Sequence, residues 1–269
     1  MAATTFNRDI GSWNMGNVTT TMKMFHSASA FNQDIGGWNV SRVNQTSSMF
    51  WGASGFTNGG TDTMNSWDVG QVEAMDNMFH GASTFNQSIS EWNVGKVNTM
   101  AGMFHNASSF DGNIGLWNVG LVTTMDSMFY GASSFNRYIG IWDVGAVADF
   151  SSMFRDAVKF DNDGKSIDGW DVSSATDMDY MFSGASVFNR TIASWNVEAV
   201  ITMAGMFQSA SDFDTAIGDW DVSGVTDMSF MFDGASSFNR DISDWSVGAV
   251  TTMEGMFMAA TTFNRDIGS

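Results

Sequence analysis

One pattern recurs along the whole chain with a period of 25 residues. A Phe followed by Asn or Asp begins each repeat, Phe56 being the one exception, and the spacing lengthens only after Phe56, to 29 residues, and after Phe160, to 28. Such self-similarity is typical of repeat proteins, in which each unit buries its apolar face against its neighbours. The sequence therefore predicts a single solenoid over residues 1–269, with ten coils and the start of an eleventh.

Each coil follows the pattern F-N-x-x-I-x-x-W-[ND]-V-x-x-V-x-x-M-x-x-M-F-x-x-A. In its first part, Trp38 and Val40 fall on one face around Asn39, which predicts a short strand. In its second part the apolar spacing predicts a short helix or 3₁₀ turn, as in Val72, Met75, Met78, Phe79 and Ala82. The expected fold is thus a leucine-rich-repeat-like α/β coil. A β-solenoid is the alternative, because so short an apolar run does not define a helix.

Two columns of the repeat are expected in the core. A Trp recurs in every coil from Trp13 to Trp245, and an Ala recurs fifteen residues later from Ala28 to Ala260. A position that accepts only Ala indicates backbones that approach too closely for a larger side chain.

Two further columns consist of Asn and Asp, one after each Phe and one after each Trp. Short amides and carboxylates at such positions favour turns in which the side chain accepts a hydrogen bond from a nearby backbone N–H group. We interpret both columns as structural.

The motif W-[ND]-V-x-x-V-x-x-M-x-x-M-F-x-G-A-S-x-F-N resembles the BspA-like leucine-rich-repeat surface proteins, over essentially the whole chain. This resemblance implies a secreted or cell-surface protein with a role in adhesion or surface architecture, and it brings no catalytic residues.

The chain departs from the common pattern in two longer turns, residues 57–66 and 161–169. Met64 and Ile167 restore the Ile-like position before the next Trp, so both turns should bulge from one side without breaking the stack. The first Met of M-x-x-M is also replaced in three coils, by Thr21, Thr46 and Phe150.

Residues 1–12 are identical to residues 258–269, whereas they match the corresponding stretch around Phe238 at only six of twelve positions. We therefore expect the chain to belong to a longer array with a higher period of 257 residues. No distinct polar cap is visible at either end, which favours continuation of the coils, covalently or by head-to-tail stacking into an open filament.

The charge of the chain limits its partners. Eleven Lys and Arg against 29 Asp and Glu give a net charge of −18, which makes nucleic acid an unfavourable partner. Cys is absent, so neither a disulfide nor a thiol nucleophile is expected. No apolar run approaches the ~20 residues needed to cross a bilayer, and no secretion signal is present, so we expect any export signal or anchor to lie outside this sequence.

A variable column after the Met-Phe pair holds several aromatic residues. These could stack on a sugar or on a neighbouring fibre, which makes the column a candidate for lateral contact or glycan binding. Its aromatic members are His26, Trp51, His80, His105 and Tyr130.

The turn D-N-D-G-K-S-I-D offers Asp161, Asp163 and Asp168 as oxygen ligands for Ca²⁺. Its Gly comes too early for an EF-hand loop and no Glu closes the site, so an acidic surface turn is the alternative. No other cofactor is expected.

Five N-x-[ST] sequons occur in the chain. Those at Asn86 and Asn189 belong to the turn-capping column. Asn17 and Asn44 occupy variable positions, so they are the glycosylation candidates if the protein is a secreted eukaryotic one.

No nucleophile, base and orienting group converge in the pattern, so we do not expect an enzyme. The leading hypothesis is an extracellular fibre or surface stalk in which the coils continue end to end. The alternative is a cell-surface adhesion module that binds glycan or protein along one face.

Overall fold

The computed structural model describes residues 3–267, and in it the tandem repeats lie on one another in register. One residue of each repeat forms an isolated parallel bridge with its equivalent in the next, from Thr20 with Gln45 to Asp227 with Thr252. The termini of the predicted domain, Met1, Ala2, Gly268 and Ser269, lie outside the described residues.

The predicted strand and α-helix are both wrong, and short turns take their place. Within residues 3–267 no α-helix and no strand longer than a single bridged residue is present, and the regular elements are three 3₁₀ helices. They lie in the two longer turns, at Asn58–Gly60, Thr63–Ser66 and Asn162–Gly164. The bridged residue follows the second Val of the pattern, and the Ile-x-x-Trp segment forms a turn, with the N–H group of Trp38 donating to the carbonyl of Ile35.

A division of the backbone hydrogen bonds between turns and stack replaces the helix. In the third repeat, the N–H groups of residues 75, 77, 79 and 81 donate to carbonyls of the next repeat at 2.7–3.2 Å. The N–H groups of residues 78, 80 and 82 donate within their own repeat, to the residue three positions earlier. An α-helix would direct all of these groups to residues four positions earlier along one axis, so the two patterns exclude each other.

Two columns of left-handed residues make this pattern geometrically accessible. Asn77 and Gly81 have φ values of 54° and 68°, and their equivalents have positive φ in every repeat. A single left-handed residue ends a right-handed helical run, so two per repeat convert the segment into successive tight turns.

The core consists of the predicted columns. Trp38 through Trp220 are 2–4% exposed, and the Ala column is buried from Ala28 to Ala235. Indoles of successive repeats stack with centroids 6.0–6.5 Å apart, and each buried Trp donates its Nε1–H to the Ile or Met carbonyl of the preceding repeat. The carbonyls of Met64 and Ile167 accept from Trp92 and Trp195 in this way, so both longer turns leave the register intact.

The two Asn and Asp columns differ in what they bond. After each Trp, the side chain accepts from the N–H two residues on, as in Asn93 to Gly95 at 3.2 Å, which is the predicted local turn. After each Phe, the side chain instead accepts from the next repeat, as in Asn86 to the N–H of Asp111 at 2.8 Å. The expectation of local capping is therefore wrong for this second column, which joins repeats.

Candidate interaction surfaces

The aromatic column predicted as a contact surface forms one continuous stack along the side of the molecule. Ring centroids are 5.7 Å apart for His26 and Trp51, 3.9 Å for Trp51 and His80, 4.2 Å for His80 and His105, and 4.4 Å for His105 and Tyr130. The guanidinium of Arg155 continues the stack, 5.3 Å from the ring of Tyr130.

This stacking changes what the column can bind. Sugars and flat ligands are held against the faces of aromatic rings. The faces of Trp51, His80 and His105 are already covered by their neighbours in the column, so ring edges are directed outward. The rings are therefore better suited to stabilising the stack than to holding a sugar.

The two central imidazoles are held in the neutral form. Burial lowers the pKa of His80 to about 4, and the charges of His105 and His26 lower it further. Burial also lowers the pKa of His105, against the opposing effect of Asp126. Nδ1 of His80 lies 3.2 Å from Oδ1 of Asn77, which orients the ring.

The three proposed Ca²⁺ ligands are engaged separately. Asp161 forms an ion pair with Arg190 at 2.7 Å, and Asp163 forms one with Lys165 at 3.0 Å. Asp168 accepts a hydrogen bond from the N–H of Ser194. No three His, Asp or Glu side chains of residues 3–267 are grouped so that they could hold a metal ion, and the geometry does not support the Ca²⁺ prediction.

Both glycosylation candidates are exposed. Oδ1 of Asn17 accepts from the Arg42 guanidinium at 3.1 Å, and Asn44 uses its backbone N–H to bond the carbonyl of Thr19. Neither contact buries the side-chain amide nitrogen to which a glycan would be attached.

A row of carboxylates beside the bridged residues was not found by sequence reasoning. Burial raises the pKa of Asp177, and the charges of Asp179, Asp149 and Asp126 raise it further. Burial also raises the pKa of Asp179. The 25-residue spacing of Asp126 from Ser151 and of Asp179 from Ala204 is visible in the sequence, but the direction of these side chains is not.

The two ends of the stack carry complementary backbone groups. At the N-terminal end, the carbonyls of residues 20, 22, 24 and 26 accept no backbone hydrogen bond from the described residues. At the C-terminal end, the N–H groups of residues 253, 255, 257 and 259 donate none within the same range. These are the positions that pair between every two adjacent repeats inside the stack.

Both ends also expose apolar groups. Trp13 is 52% exposed, and the other indoles of its column are buried. A cavity of about 120 Å³ opens at the opposite end, where Met253 is 41% and Ile267 50% exposed. Its wall is lined by Ile242, Trp245, Val247, Met253, Met256 and Phe257.

Comparison with known proteins gives one strong match. The family described as "Mycoplasma protein of unknown function, DUF285" matches residues 1–62, 56–166 and 162–269, which together cover the chain. A search of the curated proteins finds no significant match.

Among solved structures, a similarity is found to the "Crystal structure of TLR13-ssRNA13 complex", with 9% sequence identity and a TM-score of 0.21. The match covers 92% of this chain and 45% of that one, so this chain spans less than half of its length. A TM-score this low establishes neither a shared fold nor a shared ligand. Within residues 3–267, no helix is long and apolar enough to cross a membrane.

Proposed function

Since this chain belongs to the DUF285 family of Mycoplasma proteins of unknown function, we propose that it is a non-enzymatic structural protein whose repeats continue end to end as a fibre or surface stalk. In this proposal the repeats form a leucine-rich-repeat-like solenoid of the BspA-like kind, located outside the cell or on its surface. Its main partner is a further unit of the same sequence.

The observation that carries the proposal is the complementarity of the two ends. Four free carbonyls at one end and four free N–H groups at the other correspond to the bonds that join every internal pair of repeats. Natural repeat proteins cover their terminal apolar faces with distinct polar units. Trp13 and Met253 are instead left exposed, as they would be at a joint.

The contact is directional, which favours a fibre. Donors lie only at the C-terminal end and acceptors only at the N-terminal end, so two copies cannot pair through the same end. A heterologous contact of this kind extends without closing when successive units keep the same axis. With repeats ~4.8 Å apart, ten of them advance roughly 50 Å.

Adhesion along one face is the second candidate. It is favoured by an exposed apolar patch around a cavity lined by Leu116, Tyr138 and Ile141, with Leu116 84% and Ile141 57% exposed. Exposed apolar groups of this kind are typical of contact sites. In this proposal the partner is a surface protein or glycan bound across the repeats, with no role for nucleic acid or for membrane insertion by this segment.

The end-to-end proposal is tested by placing a charge at one end. We expect Met253→Asp to abolish concentration-dependent association measured by sedimentation velocity, because the carboxylate would be buried against the apolar face of the next unit. Val158→Asp is the matched control, since Val158 is also 41% exposed but lies away from the ends.

Val158→Asp should associate like the parent chain. If both variants associate equally, or if the parent chain stays monomeric at all concentrations, the ends do not form the contact and adhesion becomes the leading function.

A further inference from the structure

We propose that separate copies of this chain join in register by exchanging the duplicated segment, so that residues 258–269 of one copy replace residues 1–12 of the next. This inference rests on the proposed end-to-end function and specifies how the joint is made.

The N-terminal segment supports the repeat that follows it. Phe6 stacks on Phe31 with centroids 5.7 Å apart, and Asn7 accepts a hydrogen bond from the N–H of Asn32 at 2.9 Å. The carbonyl of Ile10 accepts the Nε1–H of Trp38 at 3.0 Å.

The C-terminal segment presents the same groups with nothing above them. Phe263 stacks on Phe238 at 5.7 Å, and the N–H of Asn264 donates to Asn239 at 3.1 Å, so the segment is already in place on the last repeat. Phe263, Asn264 and Ile267 correspond to Phe6, Asn7 and Ile10, because residues 258–269 and 1–12 are identical.

Register then forces a choice between the two segments. If the joint has the internal spacing, residue i of the incoming copy takes the position of residue i + 257, and residues 1–12 coincide with residues 258–269. Only one of the two can occupy that position. Exchange replaces every contact of the displaced segment with an identical one, so its free-energy cost is low, as in domain swapping.

Trp13 of the incoming copy is the residue that exchange brings next in sequence. Inside the stack each Trp packs on its predecessor and donates to an Ile or Met carbonyl 28 to 32 residues earlier, as Trp245 does to Ile217. At the joint, Trp13 would enter the cavity beside Trp245, with the carbonyl of Ile242 as its acceptor. Half-exposed in the single copy, its indole would become buried.

Engineered cysteines test the joint, because the chain has no Cys of its own. In an in-register joint, Thr252 of one copy lies opposite Thr20 of the next, just as Asp227 lies opposite Thr252 within the chain. Directly opposed positions in parallel backbones are close enough for a disulfide. Within one copy Thr20 and Thr252 lie roughly 40 Å apart, so T20C/T252C can link only different copies.

A second pair reports on exchange itself. Arg265 corresponds to Arg8, which precedes Gln33 by 25 residues, one repeat. If the segment is exchanged, position 265 of one copy therefore lies beside position 33 of the next. The variant Q33C/R265C should then form intermolecular disulfides under mild oxidation. The mismatched pair Q33C/T252C and the single variants are the controls.

We expect T20C/T252C and Q33C/R265C each to give a series of disulfide-linked dimers, trimers and longer species on non-reducing gels, and the controls to give none. A series from T20C/T252C alone would overturn exchange and leave end-to-end joining in place, with the C-terminal segment displaced instead. The absence of a series from either pair would overturn both.

Discussion

At the scale of single residues, large and small side chains alternate at the left-handed positions. Tyr180 and Gly205 occupy equivalent positions in adjacent repeats, with φ values of 56° and 59°, and a methyl group on Gly205 would overlap with the ring of Tyr180. Phe230 and Gly255 form a second such pair. A bulky residue at this position therefore requires Gly in the next repeat.

We predict that Gly205→Ala lowers the free energy of unfolding by about 2–3 kcal/mol, because the left-handed backbone is strained for Ala and the ring of Tyr180 must shift. The free energy is measured by urea denaturation. In a double-mutant cycle, adding Tyr180→Ser should recover part of the loss.

Gly169→Ala is the control, since no neighbouring atom lies within 4 Å of the added group. Its effect should stay within about 0.5 kcal/mol. Equal losses for Gly205→Ala and Gly169→Ala would contradict the pairing of Tyr180 with Gly205.

The stacked imidazoles give the chain a defined response to acid. The folded-state pKa of His80, about 4, lies below the ordinary 6.5, so the unfolded chain takes up the proton first. Stability due to this group is therefore lost as the pH falls from about 6.5 to about 4. Asp177 and Asp179 act in the opposite sense, because their raised pKa values favour the protonated folded state.

We predict that His80→Phe removes this loss and keeps the stack. Relative to the variant, the parent chain should lose about 1–2 kcal/mol between pH 7 and pH 4, a value that allows for solvent screening around a half-buried ring. Urea denaturation at several pH values measures the difference, in which the carboxylate contributions cancel. Tyr130→Phe, which does not titrate in this range, should follow the parent, and a parallel course for parent and His80→Phe would contradict the assignment.

At the scale of the element, the sequence predicts which residues are buried better than how the backbone folds. The spacing of Val72, Met75 and Met78 fits one face of a helix, but it fits a succession of three-residue turns equally well. The left-handed position at Asn77 is occupied elsewhere by Lys, Ser, Tyr and Phe, so it carries no signal. The position at Gly81 does carry one, because Gly, Asn and Asp, which tolerate positive φ, recur there.

The two longer turns contain a device that sequence reasoning missed. Asn162 is fully buried, accepts from the N–H of Ile139 at 2.8 Å and donates to the carbonyls of Lys165 and Ser166. Asn58 bonds Ile35 in the same way in the first longer turn. The added residues therefore fold back on the preceding repeat, in addition to extending the surface.

We predict that Asn162→Gly lowers the free energy of unfolding by about 2–4 kcal/mol, because it leaves the buried N–H of Ile139 without its acceptor. Gly adopts the φ of 49° at this position without strain, so the loss reports the side chain. The midpoint of urea denaturation measures it.

Asp163→Gly, at a φ of 54° in the same turn, is the matched control. It removes only an exposed ion pair, so its effect should stay below about 1 kcal/mol. A similar small effect for Asn162→Gly would show that the turn does not depend on this side chain.

At the scale of the whole molecule, the repeat count and the duplicated ends could be predicted from the sequence, since both are matters of spacing and identity. The direction of the joint could not, because it depends on which backbone groups remain free after the turns have formed. Only the structure shows that acceptors lie at Thr20 to His26 and donors at Met253 to Ala259.

The central claim, that the stack continues end to end, is tested most directly by electron microscopy of the purified chain at high concentration. We predict thin unbranched filaments with an axial repeat of about 50 Å, the advance of ten repeats spaced ~4.8 Å apart. Discrete particles of one repeat length, unchanged over the concentration range, would contradict it.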